Sequence, residues 1–319
     1  MMKVLHLSDT TLSGSPYRTS QLINKYTPII SRHIAWQPVV AHRVFPCDMV
    51  GMFMKKEELQ EWIDWADIIH YHNRWKRQEI FKFCAFRNKP SVIQIHSPRL
   101  SEDFSEEINS GVPIAVIAQY HPREWKGIMR YLIPNVVDIH DDIHCERERL
   151  KRKYPTVGYA PSNWNAKGWD NKGFGLVHPY LKRRQTLSRD IRYTLIAKKP
   201  FTAAMEMKRQ CDMGIDEFMT GSYHLSSMEF LSMGIATVAH LDELTRKAVF
   251  DVTGAENLPW IDVTKNNFSH KLDRAMTDMA FLEEKGKESR KWMERHWAPE
   301  NLTQHYVQMY EDLFLPSKK

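Results

Sequence analysis

Short apolar runs alternate along the chain with longer amphipathic stretches, and the alternation runs through twice. Lys3 to Leu7 is a short apolar strand, followed by a polar loop from Asp9 to Pro16 that contains Gly14. Tyr17 to Lys25 predicts a helix, and Arg32 to Val44 holds two strand-like pieces. Within Lys55 to Ala66, Leu59, Trp62, Ile63 and Ala66 fall on one helical face. Ile68 to His72, Ser91 to His96 and Pro113 to Ala118 read as strands, each followed by polar residues, with a helix over Glu79 to Phe86 between the first two. Strands separated by helix-length segments predict a parallel sheet with helical crossovers. Leu132 to Asp138 closes this series, and the dense charge run Cys145 to Lys153 marks a boundary.

The second series opens with a strand at Thr156 to Ala160 and a loop rich in Asn, Lys and Gly from Pro161 to Gly175. Helices follow over Val177 to Gln185 and Ala203 to Cys211, with strands at Arg192 to Ala197 and Gly214 to Met219. The stretch Gly221 to His240 reads as a polar loop, a short helix, a stop at Gly234 and a buried strand from Ile235 to Ala239. Ser226 and Glu229 have the spacing of a capping box. A helix N-terminus set between strands is a natural place to hold a diphosphate. Trp260 to Val263 is a further strand, and helical patterns fill Ser269 to His296. Tyr306, Met309, Tyr310 and Leu313 share one face of a last helix. The pattern predicts an α/β protein with two Rossmann-like domains, residues 1–153 and 154–296, and a terminal segment 297–319. Ligands in such open sheets bind at the carboxyl ends of the strands, which places a cleft between the two domains.

Composition narrows the picture modestly. The 319 residues are 42% apolar and 26% charged, as in a soluble globular protein. A formal charge of +6 and a pI near 9.0 suit an anionic partner, whether a nucleotide, a phospholipid surface or a nucleic acid. No run approaches the roughly 18 apolar residues of a membrane span, and the apolar part of the N-terminus is too short for a signal peptide. Cys47, Cys84, Cys145 and Cys211 are far apart and make no Cys-x-x-Cys pair. A disulfide framework and structural zinc are not expected, and the expected compartment is the reducing cytoplasm, with binding at the inner face of the membrane left open.

With these elements in place, the chain resembles the group-1, family-4-like retaining glycosyltransferases of the GT-B fold. The resemblance runs over nearly the whole chain, in order. Lys3 to Pro16 looks like the family's opening strand and glycine loop, and Asp67 to Asn73 like its strand ending in His-x-His-Asn. Val92 to His96 matches a strand ending in His, and Ile133 to Asp138 the "IPNgvD" motif. Ala160 to Gly168 is similar to a variant of the phosphate-binding loop, and Ser226 to Gly234 to the family's Leu-Glu-Ala helix. Two departures stand out. The family's first Glu, eight residues before Glu229, is replaced by Gly221, and the Gly-Arg before the phosphate-binding Lys is replaced within Ala160 to Asn163. The terminal helix looks like the family's last helix, which crosses back onto the first domain.

The resemblance implies roles that stand beside plainer readings of the same residues. Glu229 is either the second half of a capping box or a carboxylate on the ribose hydroxyls. Ser226 and Ser227, at the positive end of the helix, would meet the diphosphate. Lys167, otherwise a surface loop lysine, would hold the phosphates, with Lys172 in reserve, and would stabilise the charge growing on the leaving group. Gly14 is a turn glycine or a point of close approach to the donor, and Arg18 a phosphate contact. His224 stands near the donor sugar in place of the missing Glu. His96 would touch the donor sugar near the reacting centre, so His96, Lys167 and Glu229 form the expected catalytic set. His70, His72 and Asn73 would line the acceptor side, as would His121 and Arg123. The cluster Arg74 to Arg77 reads as a solvated face more readily than as a phosphate or base contact. His70 and His72 lack a carboxylate or Cys to complete a ligand set, so no metal is expected, and no cofactor beyond the co-substrate.

The expectation is a metal-independent transfer of a sugar from a UDP-, GDP- or ADP-sugar, with retention of configuration. The acceptor is a glycan, a lipid-linked molecule or a nucleic acid. Two alternatives stay open at the level of sequence. One is a phage-type enzyme acting on a modified DNA base, which the basic pI permits. The other is a degenerate member that binds a nucleotide or a partner without turnover, which Gly221 motivates.

Overall fold

The computed structural model describes residues 1–37, 39–40, 43–73, 88–96, 104–148, 152–161 and 172–314. The chain divides into two compact units, Met1–Val136 with Pro299–Lys319, and Val137–Ala298.

In unit 1 the order is β1 (Lys3–Thr10), α1 (Ser15–Tyr26), β2 (Ile30–Gln37), a small hairpin of β3 (Val39–Val40) and β4 (Arg43–Val44), β5 (Met49–Val50) and α2 (Lys56–Trp65). Then come β6 (Ile68–His72), β7 (Ser91–Ile95), α3 (Ser105–Asn109), β8 (Ile114–Ile117) and β9 (Tyr131–Ile133). After unit 2 the chain returns as α10 (Pro299–Leu302) and α11 (Gln304–Phe314). Seven strands form one parallel sheet in the order β5-β2-β1-β6-β7-β8-β9. The predicted helix over Glu79 to Phe86 lies outside the described residues.

The two faces of this sheet differ. Side chains alternate across a strand, so the register sorts them. Leu5, Leu7, Ile34, Ile69, Tyr71, Ile93 and Ile95 share an apolar core with Leu59 and Ile63 of α2. On the opposite parity His6 pairs with His33 and His70, while His72 pairs with Ser8 and Gln94. All six polar side chains are at most 2% exposed. A parallel sheet is ordinarily apolar on both faces, so these buried imidazoles need partners. Some come from α11, where the Tyr310 hydroxyl lies 2.7 Å from His70 Nδ1. On the same helix, Tyr306 donates to the Pro134 carbonyl at 3.0 Å.

Unit 2 contains β10 (Thr156–Tyr159), α4 (Phe174–Leu187), β11 (Arg192–Leu195), α5 (Phe201–Arg209), β12 (Met213–Ile215) and α6 (Leu225–Ser232). It continues with β13 (Ala236–Ala239), α7 (Glu243–Thr253), β14 (Ile261–Asp262), α8 (Phe268–Thr277) and α9 (Met279–His296). Its parallel sheet runs β11-β10-β12-β13-β14. The order of connection reverses between β10 and β12, the switch point at which doubly wound sheets bind ligands. One face packs Val157, Tyr159, Met213, Ile215 and Val238 on α4 and α8. On the other, α6 lies close. A Cβ on Gly214 would come within 2.5 Å of the Phe230 ring, and one on Gly158 within 2.5 Å of Cys211 Sγ.

Unit 2 begins at Val137, ahead of the charge run where the sequence placed the boundary. The reason is a set of long-range bonds. Arg147 binds Asp212 at 2.9 Å, and Arg290 bonds the carbonyls of Ile139, His144 and Ser232. The sequence reading also missed α7, although Asp242 caps it by accepting the Thr245 N–H at 3.0 Å and Gly254 ends it. Among the described residues no helix is long and apolar enough to cross a membrane.

Candidate functional site

In unit 2 the polar groups gather where β12 leaves the sheet. The strand stops at Ile215 because the next residue turns to organise the start of α6. Asp216 Oδ2 accepts the backbone N–H of His224 and the hydroxyl of Ser227, both at 2.6 Å. Its Oδ1 holds the Lys172 ammonium at 2.6 Å, with both residues at most 1% exposed. Trp260 Nε1 donates to Ser227 Oγ at 2.9 Å. Burial pushes the Asp216 carboxyl up, but Lys172 and His224 outweigh it and hold it well below the usual carboxylate range. Glu217 turns into its own loop, where the Met219 and Thr220 N–H groups and the Thr220 hydroxyl bind its carboxylate.

The capping box expected from Ser226 and Glu229 does not form. The helix starts at Leu225 with His224 as N-cap, so Ser226 lies inside the first turn, and no side-chain bond caps the start. Lys208 of α5 takes both side chains instead. Its ammonium donates to Ser226 Oγ at 2.9 Å and pairs closely with Glu229 Oε2. Burial lowers the Lys208 pKa, and Glu229 works against that shift. Glu229 is 7% exposed and Ser227 fully buried. Sequence reasoning missed Lys208 and Asp216. The available signal for Lys208 was its place three residues after Met205 in the inward stripe of α5, where a lysine is out of character.

Gly221, the departure from the family's Glu, has a local cause. It sits at φ +76°, and a Cβ there would lie 2.6 Å from Asp242 Oδ2. Its carbonyl accepts from the Asp242 N–H and the Thr245 hydroxyl, so the loop is tied to the start of α7. Lys167 lies outside the described residues, as do Gly168 and the Arg74 to Arg77 cluster. Lys172 is described, and its ammonium is engaged by Asp216 inside the unit.

In unit 1, Gly14 is the left-handed N-cap of α1 at φ +80°, with the Phe45 ring 2.9 Å from where its Cβ would be. Arg18 follows within α1 and is half-buried. At the ends of β6 and β7, Asn73 accepts the His96 N–H at 2.7 Å through Oδ1, and its own N–H bonds the Gln94 carbonyl at 2.8 Å. His96 Nε2 lies 2.7 Å from His72 Nδ1, and His72 Nε2 lies 2.9 Å from His6 Nδ1. His70 and His72 are 0% and 1% exposed, so they sit behind His96 rather than on an open acceptor surface. Burial, chiefly, lowers His70 and His96 to about 3 and His72 and His6 well below the usual range, so all four rings are neutral at pH 7. His121 is buried in a short turn of helix, and the Arg123 guanidinium stacks 4.1 Å from the Tyr120 ring. The ligand nitrogens of His6, His70 and His72 lie within 4.8 Å of one another, a set the sequence reading could not assemble because His6 comes from another strand.

No family model matches the sequence, and no curated protein matches it either. Solved structures do. A glycosyltransferase from Rickettsia africae ESF-5 aligns over 99% of this chain and 100% of its own, with TM-score 0.62 and 12% identity. The sucrose-phosphate synthase of Thermosynechococcus elongatus aligns over 98% of this chain and 99% of its own, with TM-score 0.59 and 14% identity. The chain has the GT-B fold. HepE of Anabaena, solved in complex with UDP, shares this fold over 98% of this chain and 100% of its own, with TM-score 0.56 and 12% identity. At these identities the GT-B likeness speaks for the path of the chain, and the site has to be argued from its own residues.

Proposed function

We propose that the protein is a glycosyltransferase that moves a sugar from a nucleotide-sugar to an acceptor hydroxyl with retention of configuration and without a metal. The observation that carries the reading is the start of α6 in a GT-B chain. A helix N-terminus, two serines and the Lys208–Glu229 pair meet beside the switch point of the sheet. The first N–H groups of a helix lack intrahelical partners and favour an anion. The diphosphate binds there, with Ser226 and with Lys167, whereas the Ser227 hydroxyl is already held by Asp216 and Trp260. Lys208 holds the Glu229 carboxylate in position for the ribose hydroxyls. HepE in complex with UDP and a starch synthase bound to ADP share the fold and support a nucleoside diphosphate as the leaving group.

In the proposed reaction the bond from the anomeric carbon to the phosphate oxygen breaks. The acceptor oxygen bonds to that carbon on the same face, and its proton passes to the departing phosphate. Positive charge from Lys167 and the helix terminus stabilises the leaving group. His96 contacts the donor sugar, and loops at the ends of β6, β7 and β8 take the acceptor. The reading includes a cytoplasmic place of action.

The test is a thermal-shift panel of UDP, GDP, ADP and their sugars, followed by transfer and hydrolysis assays with radiolabelled donors. One nucleotide class should raise the melting temperature, and Glu229→Ala should abolish that rise. Binding without any turnover across the panel would leave a nucleotide-binding protein as the better account, and no binding at all would refute the reading.

A further inference from the structure

The carboxyl edge of the unit 2 sheet carries a second polar pair, one strand along from Asp216. His240 follows β13, and Asp262 ends β14. These strands pair in parallel with Ala239 opposite Asp262, which brings the two side chains together. His240 Nδ1 lies 2.7 Å from Asp262 Oδ1. Lys271 of α8 steadies Asp262 by donating to its backbone carbonyl at 2.6 Å, and the same ammonium is 4.0 Å from Asp262 Oδ2. The backbone of His240 is fixed as well, since its N–H bonds the Glu217 carbonyl at 2.9 Å. On either side, the Asp216 N–H bonds the Val238 carbonyl and the Asp242 N–H bonds the Gly221 carbonyl, both at 3.0 Å. Residues 238–242 are therefore stitched along the loop that leads from β12 into α6.

A carboxylate only accepts, so the shared hydrogen sits on His240 Nδ1. Nε2 is then the atom through which the ring meets anything else, and it has no hydrogen-bond partner among the described residues. The His240 side chain is 31% exposed and that of Asp262 45%. A pair this exposed adds little to stability. A carboxylate on one imidazole nitrogen has another use: it sets the tautomer and aims the ring, so that the other nitrogen is presented to a ligand. Position decides which ligand. Open sheets of this kind bind beyond the carboxyl ends of their strands, here at the switch between β10 and β12. Because β13 adjoins β12, His240 is one strand spacing, ~5 Å, from the Glu217 backbone. Glu229, assigned to the ribose, is held from the opposite side by Lys208 of α5, the helix that joins β11 to β12. A diphosphate at the α6 start runs between the two, and the group on its far end from the ribose lies toward His240.

We propose that His240 is a specificity-determining residue of the donor site, held by Asp262 so that Nε2 meets a hydroxyl of the sugar to be transferred. Asp262 is then a positioning residue that acts through His240. The assignment rests on the transferase reading, which puts the nucleoside diphosphate at the start of α6.

The test is titration calorimetry of the full chain with UDP, GDP and ADP, and with UDP-glucose, UDP-N-acetylglucosamine, GDP-mannose and ADP-glucose. For the base that binds, the ratio of the two dissociation constants, sugar form over diphosphate, reads the contacts to the sugar. His240→Ala should leave diphosphate binding unchanged and weaken the sugar form by roughly five- to tenfold, the effect of one lost hydrogen bond. His240→Gln, whose amide reaches toward the place of Nε2, should recover part of that loss. Asp262→Ala should move the ratio in the same direction and release the ring from its Nδ1–H tautomer in proton–nitrogen correlation spectra. An unchanged ratio in His240→Ala would overturn the proposal. So would an equal weakening of both forms, which marks a structural role, or a protein that binds a diphosphate and none of the sugar forms. In each of these cases a nucleotide still binds, so the nucleotide site stands while the role of His240 falls. No binding by any member of the panel removes the transferase reading and the donor assignment together.

Discussion

Acidification should destabilise unit 1 well before it protonates ordinary carboxylates. The perturbation is a drop in pH from about 7.5 to about 5.5. An unfolded histidine titrates near ~6.5, whereas His33 and His70 are held at about 3 by burial. Between those values the unfolded chain takes up protons and the folded chain does not. Stability is therefore full above ~6.5 and declines as pH falls toward about 3, by up to ~1.4 kcal/mol per pH unit for each ring. At about pH 5.5 each ring has cost ~1.4 kcal/mol, so His33 and His70 together cost ~3 kcal/mol. His96, also lowered to about 3, and His6 and His72 are shifted the same way and add to this. Asp48 opposes it in part, since burial raises its carboxyl and the folded state then binds that proton first. A loss of ~3 kcal/mol is a large share of the ~5–15 kcal/mol that holds a domain together, and it lowers the melting temperature by roughly 6–12 °C at this size.

The assay is thermal unfolding followed by circular dichroism at a series of pH values, for the unaltered chain and for His33→Asn. His33 Nε2 bonds Ser8 Oγ at 2.8 Å and takes no part in the His6–His72–His96 contacts, so the variant removes one titrating ring and spares them. Its stability should depend less steeply on pH, by about one proton. A melting temperature that stays level from about pH 7.5 to 5.5, or an unaltered slope in His33→Asn, would refute the reasoning.

Other expectations follow from single contacts. Gly221→Glu, which installs the carboxylate usual in the resembled family, should lower stability by about 2 kcal/mol or more, because the site is left-handed and the new Cβ meets Asp242 Oδ2 at 2.6 Å. Urea denaturation measures it, and an unchanged midpoint would show that the loop gives way. Asp216→Asn leaves Lys172 buried without its counter-charge and should cost ~3–5 kcal/mol in the same assay. Cys211 is fully buried, and its thiol is pushed up to about 12, so in the folded protein it should resist thiol reagents that label Cys47 or Cys145, as peptide mapping would show.

Much of the fold is legible because its signal is local. Ile68 to His72 was read as a strand and is one, and Lys55 to Ala66 differs from α2 by a residue at each end. The helix at Leu225 was also legible, but what holds its start was not. Ser226 and Glu229 had the spacing of a capping box, yet Lys208 reaches both from 18 and 21 residues away. A local rule cannot anticipate that competitor. The histidines failed differently. In Ile69-His70-Tyr71-His72 the apolar residues enter the core and the histidines the other face, a period of two that was visible. The histidines were expected to line the acceptor side, and only the pairing of β1 with β6 shows that His6 continues the row, just as only the Tyr310 contact shows that α11 meets it.

The two units solve the burial of polar groups in opposite ways, and the difference decides which of them senses acid. In unit 2, Asp216 is charged and answered by a charge, Lys172, so burial costs are offset by Coulomb attraction and by hydrogen bonds from His224 and Ser227. That arrangement does not change until its carboxylate can be protonated, far below neutrality. In unit 1 the rings are uncharged, and the bonds that hold them come from one another, from the Tyr310 phenol and from the Ser8 hydroxyl, none of which carries a charge to offset an added proton. Each added proton also repels a neighbouring ring: His70 lowers His6 and His72, and His96 lowers all three. The neutrality that burial imposes on these rings at pH 7 ties the stability of the unit to conditions near or above the ordinary histidine pKa.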